Sequence, residues 1–477
     1  MPNDESLKSR RILIVSPDLD YYKDNRGIFR YSLRLGAALK ALGYEIHLLT
    51  SASLSGIPKK RAYTDTLRCL AIIDHLSKRD KSEKVGQRYS AFSRARRLLS
   101  RVRRLLAQIG LRFLERPTLV RNMFSRDDLD LVGPGYEVVS LFDAWLNLQD
   151  ASSDIVEGRF SSSNAASGFK IDASGYSFVF TTQPYRIRIR GSRLVSVYHD
   201  LFPVLSNIHP AKMNELGLDF IGNSVSSDYI VCISETTRLA LRNLLHYNSF
   251  LEEEKVRVVR QSVKRAPEEL VSSSMRTETN NRSFVTIGTL EPRKNQAFVY
   301  ELFVDEESLA DCTLNLVGSA DISYLRTRLP GIYRACSVLF NNNAEALQEA
   351  ILDGASFSVR YKNILWHCNA SEENKNMLLT GSNAMIFSSF NEGYGIPIVE
   401  GMALGIPVIA NDIPVFRGIS QDLYFYRQRS ELLSLILELS GSTIRSDRYI
   451  DSATQLVDDK CFAEDLKKAI PGLGNLG

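Results

Sequence analysis

The stretch Ser388–Asn411, reading SSFNEGYGIPIVEGMALGIPVIAN, constrains this chain more than any other. The short apolar run before it, Ala384–Phe387, ends in small polar residues and reads as a buried strand. Asn391-Glu392-Gly393-Tyr394-Gly395 follows, and two glycines in five residues predict a loop. Pro397 suits the first turn of a helix, where its missing N–H is not needed. Ile398, Val399, Met402 and Ala403 give that helix a buried stripe, Gly405 ends it, and Pro407-Val408-Ile409-Ala410 begins the next strand. A strand, a glycine-rich loop, a helix N-terminus and a second strand are the layout of an anion-binding corner in an open α/β sheet. Two carboxylates sit in this corner, Glu392 in the loop and Glu400 on the helix, with seven residues between them. Acids repel a phosphate, so they must face another part of a ligand, and sugar hydroxyls are the natural partners. The plain alternative is one acid in a surface loop and one near a helix start, where acids are common.

The rest of the chain supplies two α/β sets. Arg11–Val15 reads as a strand, followed by a loop with Asp18-Leu19-Asp20 and Asn25-Arg26-Gly27. Tyr31, Leu35, Ala38, Leu39 and Leu42 then recur at helical spacing, Gly43 stops the helix, and Glu45–Leu49 returns as a strand. Further strands are expected at Glu137–Leu141, Ser177–Thr181, Leu194–Tyr198, Tyr229–Ile233 and Val256–Val259. His199-Asp200 ends one of them, at the edge where such sheets place ligands. The polar run Gln261–Arg282 reads as an interdomain linker. A second set follows at Ser283–Ile287, Thr313–Val317, Asn363–Trp366, Ala384–Phe387, Val408–Ala410 and Leu423–Phe425, with a terminal helix at Asp458–Ile470. With 477 residues the chain can build two full cores. The expected division is 1–265, 266–445 and a C-terminal helical crossover over 446–477.

Composition excludes several classes. The 44% apolar and 24% charged residues are those of an ordinary globular protein. Fifty-nine basic against 55 acidic residues, net +4, is too balanced to argue for nucleic acid. Cys69, Cys232, Cys312, Cys336, Cys368 and Cys461 form no CxxC and no metal-ligand spacing, and several lie in apolar runs, so reduced core thiols in a cytoplasmic protein are expected. The N-terminal MPNDESLKSR lacks the apolar segment of a signal peptide, and no stretch approaches the ~18 apolar residues that span a bilayer. A basic helical insertion is expected at about 88–116. Leu98, Val102, Leu105, Leu106, Ile109 and Phe113 make one stripe, and Arg94, Arg97, Arg101 and Arg104 the adjoining one. That pattern suits an anionic membrane surface, and equally a helix packed on the first domain with a solvated arginine face.

IGTLEPRKN opens the second set. Gly288 follows the strand, and Arg293 and Lys294 precede a helix starting near Asn295. Two cations at a helix start make a diphosphate site, or else a solvated pair. Together with NEGYGIPIVEGMALGIPVIA these residues resemble the retaining, nucleotide-sugar-dependent glycosyltransferases of GT-B fold, the large group 1 family whose hallmark is E-x7-E. The resemblance implies two Rossmann-like domains facing a cleft, with a C-terminal helix crossing back to the first. It implies that Glu400 holds the ribose hydroxyls and that Glu392 faces the donor sugar, with Gly393, Tyr394, Gly395, Ile396 and Gly288 lining the donor. Lys294 and Arg293 oppose the charge of the leaving diphosphate. The Gly27 loop resembles the glycine loop of the family's first domain, and VYHDLFP places His199 near the sugar. No cofactor and no metal are implied; Asp18-Leu19-Asp20 and Asp128-Leu129-Asp130 are DxD strings outside any region patterned for the other glycosyltransferase fold. The expected partners are a nucleotide diphosphate sugar, carrying mannose or rhamnose, and a saccharide or lipid-linked saccharide acceptor. The expected setting is surface polysaccharide (lipopolysaccharide-type) synthesis, in the cytoplasm or peripherally at the inner face of the membrane. A GT-B-fold epimerase and a non-catalytic scaffold are the rival readings. The chain departs from the family at Thr289, where an arginine is usual, at Gly401 for an alanine, at Gly418 for an acid, and at the Gly27 loop, which lacks a second glycine.

Overall fold

The computed structural model describes residues 10–16, 19, 27–50, 64–77, 118–124, 136–147, 169–185, 187–202, 220–246, 253–276, 282–441 and 447–475. The chain divides into two compact units. Unit 1 comprises Met1–Ile233, Thr237–Gln261 and Phe462–Gly477; unit 2 comprises Ser234–Thr236 and Ser262–Cys461.

Unit 1 is built on β1 (Arg11–Val15), β2 (Glu45–Thr50), β3 (Thr118–Arg121), β4 (Ala144–Asn147), β5 (Phe169–Asp172), β6 (Phe178–Thr181), β7 (Ile187–Arg190), β8 (Arg193–Tyr198), β9 (Tyr229–Cys232) and β10 (Val256–Val258). Its main sheet has the order β10-β9-β8-β6-β1-β2-β4-β3, with β3 alone antiparallel, and β5 and β7 form a separate parallel pair. Ile12, Leu13, Ile14 and Val15 are at most 1% exposed, because parallel strands are covered on both faces. The helix Gly27–Ala41 lays Tyr31, Leu35, Ala38 and Leu39 into the core.

Unit 2 repeats the plan with β11 (Ser283–Ile287), β12 (Thr313–Val317), β13 (Phe357–Tyr361), β14 (Ile364–Cys368), β15 (Ala384–Phe387), β16 (Val408–Asn411) and β17 (Tyr424–Tyr426). The order is β13-β14-β12-β11-β15-β16-β17, and only β13 runs antiparallel to its neighbour. Leaving aside the antiparallel edges, both main sheets wind outward twice from their first strand. The direction reverses between β1 and β6 in one and between β11 and β15 in the other. Crevices at such reversals, beyond the strands' carboxyl ends, are where doubly wound sheets bind ligands.

Two local expectations are corrected, and one strand was not expected. Residues Tyr136–Leu141 form a short helix, and the strand comes later, at Ala144–Asn147. A short buried apolar run does not distinguish the two by periodicity. Strand pairing starts only at Asp143, whose N–H donates to Ile46 O at 2.9 Å while its Oδ2 accepts from Ile46 N at 2.7 Å. The polar run Gln261–Arg282 contains a helix, Glu268–Arg276, opened by Pro267 and by two acids in its first turn that suit the helix dipole. The antiparallel strand β13 pairs with β14 across the tight turn at Lys362, whose φ is +52°. The basic segment 88–116 and both DxD strings, except Leu19, lie outside the described residues. Among the described residues no helix is long and apolar enough to cross a membrane.

Candidate active site

In unit 2 the loops after β11 and β15 flank the point where the sheet reverses, and the motif residues lie on these loops. Gly288 leaves β11 with φ +133°, and a Cβ there would sit 2.6 Å from Lys294 Nζ. The glycine therefore serves backbone and neighbour alike: it lets the strand turn and lets the ammonium lie against the main chain. Gly318, leaving β12 with φ +146°, would carry its Cβ into Gly288 O. Leu290 N then donates to Ser319 O at 2.8 Å, which ties the two loops together.

Pro292–Lys294 forms a single tight turn, Asn295 takes the left-handed conformation at φ 55°, and the helix Gln296–Asp305 begins. This turn is stitched to the loop after β15. Phe390 N donates to Arg293 O at 3.0 Å, and Ser388 Oγ donates to Lys294 O at 2.8 Å. The cations that lie side by side in sequence are used differently. Arg293 donates from Nη1 to Glu392 Oε2 at 2.6 Å and to Asn391 O at 2.9 Å, and from Nη2 to Glu291 Oε1 at 2.6 Å. Lys294 is half-buried, and among the described residues no carboxylate lies within ion-pair distance of its ammonium.

Glu392 is held at both oxygens: Ser389 Oγ donates to Oε1 at 2.9 Å and Arg293 takes Oε2. With its side chain 13% exposed, the carboxylate is fixed yet reachable. Gly393, Tyr394 and Gly395 are buried, and Gly395 turns at φ 119° into the helix Ile396–Ala403, with a proline in its first turn. A Cβ on Gly395 would press on Ile419 and Phe416 at 3.0 and 3.3 Å. Glu400 lies on that helix, 14% exposed, and accepts from Lys375 Nζ at 3.2 Å. Lys375, on the helix Glu372–Thr380, also pairs with Glu372 Oε1 at 2.5 Å.

Sequence reasoning missed Glu291, Ser389, Lys375 and Gly318. Glu291 and Ser389 lie within three residues of motif positions, so proximity was the available signal. Lys375 lies 25 residues before Glu400 and on another helix, with no local pattern to mark it.

In unit 1, Gly27 begins the helix Gly27–Ala41, and His199 follows β8. His199 Nε2 donates to Thr182 O at 3.0 Å, which assigns the N–H to that nitrogen. Its ring stands edge-on to Tyr31, centroids 4.8 Å apart. Desolvation, partly offset by the Thr182 carbonyl, pushes its pKa down to about 4, so the ring is neutral at pH 7. The Tyr31 hydroxyl is buried and has no hydrogen-bond partner among the described residues. Among the described residues no group of three or more His, Cys, Asp or Glu is placed to hold a metal ion.

Residues 270–426 match the family described as glycosyl transferases group 1. The chain is 30% identical over 145 residues to the serotype-specific mannosyltransferase WbdA of Escherichia coli, covering 30% of this chain and 15% of that relative. It therefore spans well under a fifth of that protein's length. Two solved structures share its fold. Sucrose-phosphate synthase from Thermosynechococcus elongatus has a TM-score of 0.53 at 13% identity, covering 96% of this chain and 98% of its own. Anabaena HepE in complex with UDP and glucose has a TM-score of 0.50 at 12% identity, with the same coverage. The two parallel-rich sheets and these likenesses make the fold GT-B.

Proposed function

We propose that this chain, whose residues 270–426 match the group 1 glycosyl transferases, is a retaining glycosyltransferase of that family. In this reading it moves a sugar from a nucleoside diphosphate donor to a hydroxyl of a saccharide acceptor. One observation carries the proposal: two carboxylates with seven residues between them, each held by its own cation, lie on one loop and helix of the unit that also presents Lys294, whose ammonium has no carboxylate within ion-pair distance among the described residues. Held carboxylates suit hydroxyls, and an uncommitted ammonium suits a phosphate.

In the proposed reaction the C1–O bond to the diphosphate breaks while the acceptor oxygen bonds to C1 on the same face. The acceptor's proton passes to the departing phosphate oxygen. Lys294 opposes the negative charge that grows on the leaving group. Arg293 adds positive charge at the same turn and fixes Glu392, which orients the sugar. Glu400 receives the ribose hydroxyls, and Gly288, Gly393, Tyr394, Gly395 and Ile396 line the donor. By the same resemblance His199 and Gly27 of unit 1 act toward the donor, His199 as a neutral hydrogen-bonding group. Lys294 and the helix start supply the positive charge, so the proposal includes no metal.

Mannose is the preferred donor sugar, supported by the likeness to a mannosyltransferase, with rhamnose as the second choice on motif alone. A saccharide of a surface polysaccharide, free or lipid-linked, is the proposed acceptor, and the Arg94–Arg104 segment is proposed to meet an anionic membrane at the cytoplasmic face. Incubation with GDP-mannose, dTDP-rhamnose and UDP-glucose, followed by nucleotide release and sugar analysis, tests the function. Slow nucleoside diphosphate release from one donor is expected. Interconversion of sugars without release would instead identify an epimerase, and inertness toward all donors with no nucleotide binding would identify a scaffold.

A further inference from the structure

We propose that Lys375 is a positioning residue for Glu400, keeping that carboxylate turned to receive the donor's ribose diol. The inference rests on the reading above that Glu400 faces the ribose.

Lys375 is 7% exposed, on a helix whose first turn is fixed by Ser371 Oγ accepting from Asn374 N at 3.1 Å. An ammonium so placed is costly unless paired, and it is paired twice, with Glu372 and Glu400. Such a pair is a poor way to gain stability, because an apolar side chain of similar volume would fill the site as well. The arrangement makes sense by its charge. Two carboxylates share this ammonium, so it is not committed to either of them alone. The shorter contact is to Glu372, whose side chain is 53% exposed, and the longer is to Glu400, 14% exposed. Glu372 thus draws the ammonium outward, and Glu400 is steered without being fully neutralised. A residual anion near the site is what two hydroxyl donors need. Glu392 is treated the same way, with Arg293 on one oxygen and Ser389 on the other. Each acid of the pair has its own clamp from a different element.

The test compares binding of UDP and GDP with that of their 2′,3′-dideoxy forms, in the full chain and in variants whose folding is checked by urea midpoint. The native protein is expected to favour the ribose form of its preferred nucleotide by ~10-fold or more, the worth of a charge-assisted hydrogen bond. Glu400→Gln and Lys375→Met should each collapse that preference to about 2-fold, and Lys375→Arg should restore most of it. With the preferred donor, Lys375→Met should raise KM ~10-fold and change kcat less than ~3-fold. If Glu400→Gln collapses the preference while Lys375→Met keeps it, or weakens both nucleotide forms equally, Lys375 is only structural and the proposal is overturned, with the ribose reading intact. If Glu400→Gln itself leaves the preference unchanged, the ribose reading fails and takes the proposal with it. Should Lys375→Met not fold, Lys375→Gln and Lys375→Arg give the same comparison.

Discussion

The two units place the reversal of strand order in equivalent positions, and the described residues around it differ in chemistry. In unit 2 the edge is ionic: Glu291, Arg293, Lys294 and Glu392 cluster after β11 and β15, and Lys375 and Glu400 lie nearby. In unit 1 the described residues around the reversal include hydroxyls and a neutral ring, and most of the charged loop after β1 lies outside the described residues. Ser32 Oγ donates to Ile28 O at 2.8 Å, which leaves Ser16 to donate to Ser32 across 2.7 Å. Thr181 Oγ1 donates to Ser196 Oγ at 3.0 Å, and His199 is uncharged. One topology therefore carries an ion-paired network in unit 2 and, among the described residues of unit 1, a cluster of hydroxyls around a neutral ring. The doubly wound sheet fixes where a ligand can sit, and the loop residues fix what kind.

The comparison can be broken at several points. The largest effect is expected at the ionic edge, where Lys294→Ala should lower transfer by ~10²–10³-fold, the usual loss when one group facing developing charge is removed. Near-normal turnover of a confirmed donor by this variant would show that the ammonium does not meet the diphosphate. Next comes the backbone beneath that edge. Gly318→Ala demands a strained φ and a collision with Gly288 O, and should cost about 2–3 kcal/mol in a urea unfolding series, with donor affinity falling as Gly288 shifts.

The surroundings of His199 should respond to pH instead. His199 has its folded pKa depressed to about 4, below the ordinary value of about 6.5. Its contribution is thus fully present above about pH 6.5 and is lost as pH falls from there toward 4, where the unfolded chain binds the proton first. Urea midpoints of His199→Gln should therefore fall less between pH 7 and pH 5 than those of the native protein. The smallest effect is expected at Tyr31. Removing a buried hydroxyl that has no partner among the described residues should leave stability unchanged or raise it by up to about 1 kcal/mol in Tyr31→Phe. A clear loss there would mean that the hydroxyl is satisfied in solution.

The legible parts of the chain were those written locally. β11, β12 and β15 occupy the spans their apolar runs indicate, and the helix Ile396–Ala403 starts at its proline and stops before Gly405. The illegible parts depend on distant partners. The helix Tyr136–Leu141 and a strand look alike until β2 offers its edge to Asp143. Arg293 and Glu392 are 99 residues apart, so no window of sequence shows that the arginine expected to face the diphosphate is engaged by this acid. Lys375 is illegible for the same reason. A lysine in the helix Glu372–Thr380 looks solvated until Glu400, 25 residues on, is brought beside it.

The division of the chain also sets an order of events during synthesis. Phe462 packs edge-on to Tyr31 at 5.8 Å, Arg193 Nη1 donates to Pro471 O at 3.0 Å, and Gly474 N donates to the Tyr44 hydroxyl at 2.8 Å, all within unit 1. The first segment of unit 1 leaves the ribosome early, but these closing contacts wait for the roughly 200 residues of unit 2 to be translated, about 10–40 s at ~5–20 residues per second. Through that interval Tyr31 lacks the edge-on partner that Phe462 supplies, so the packing of unit 1 is completed only after unit 2 has been made.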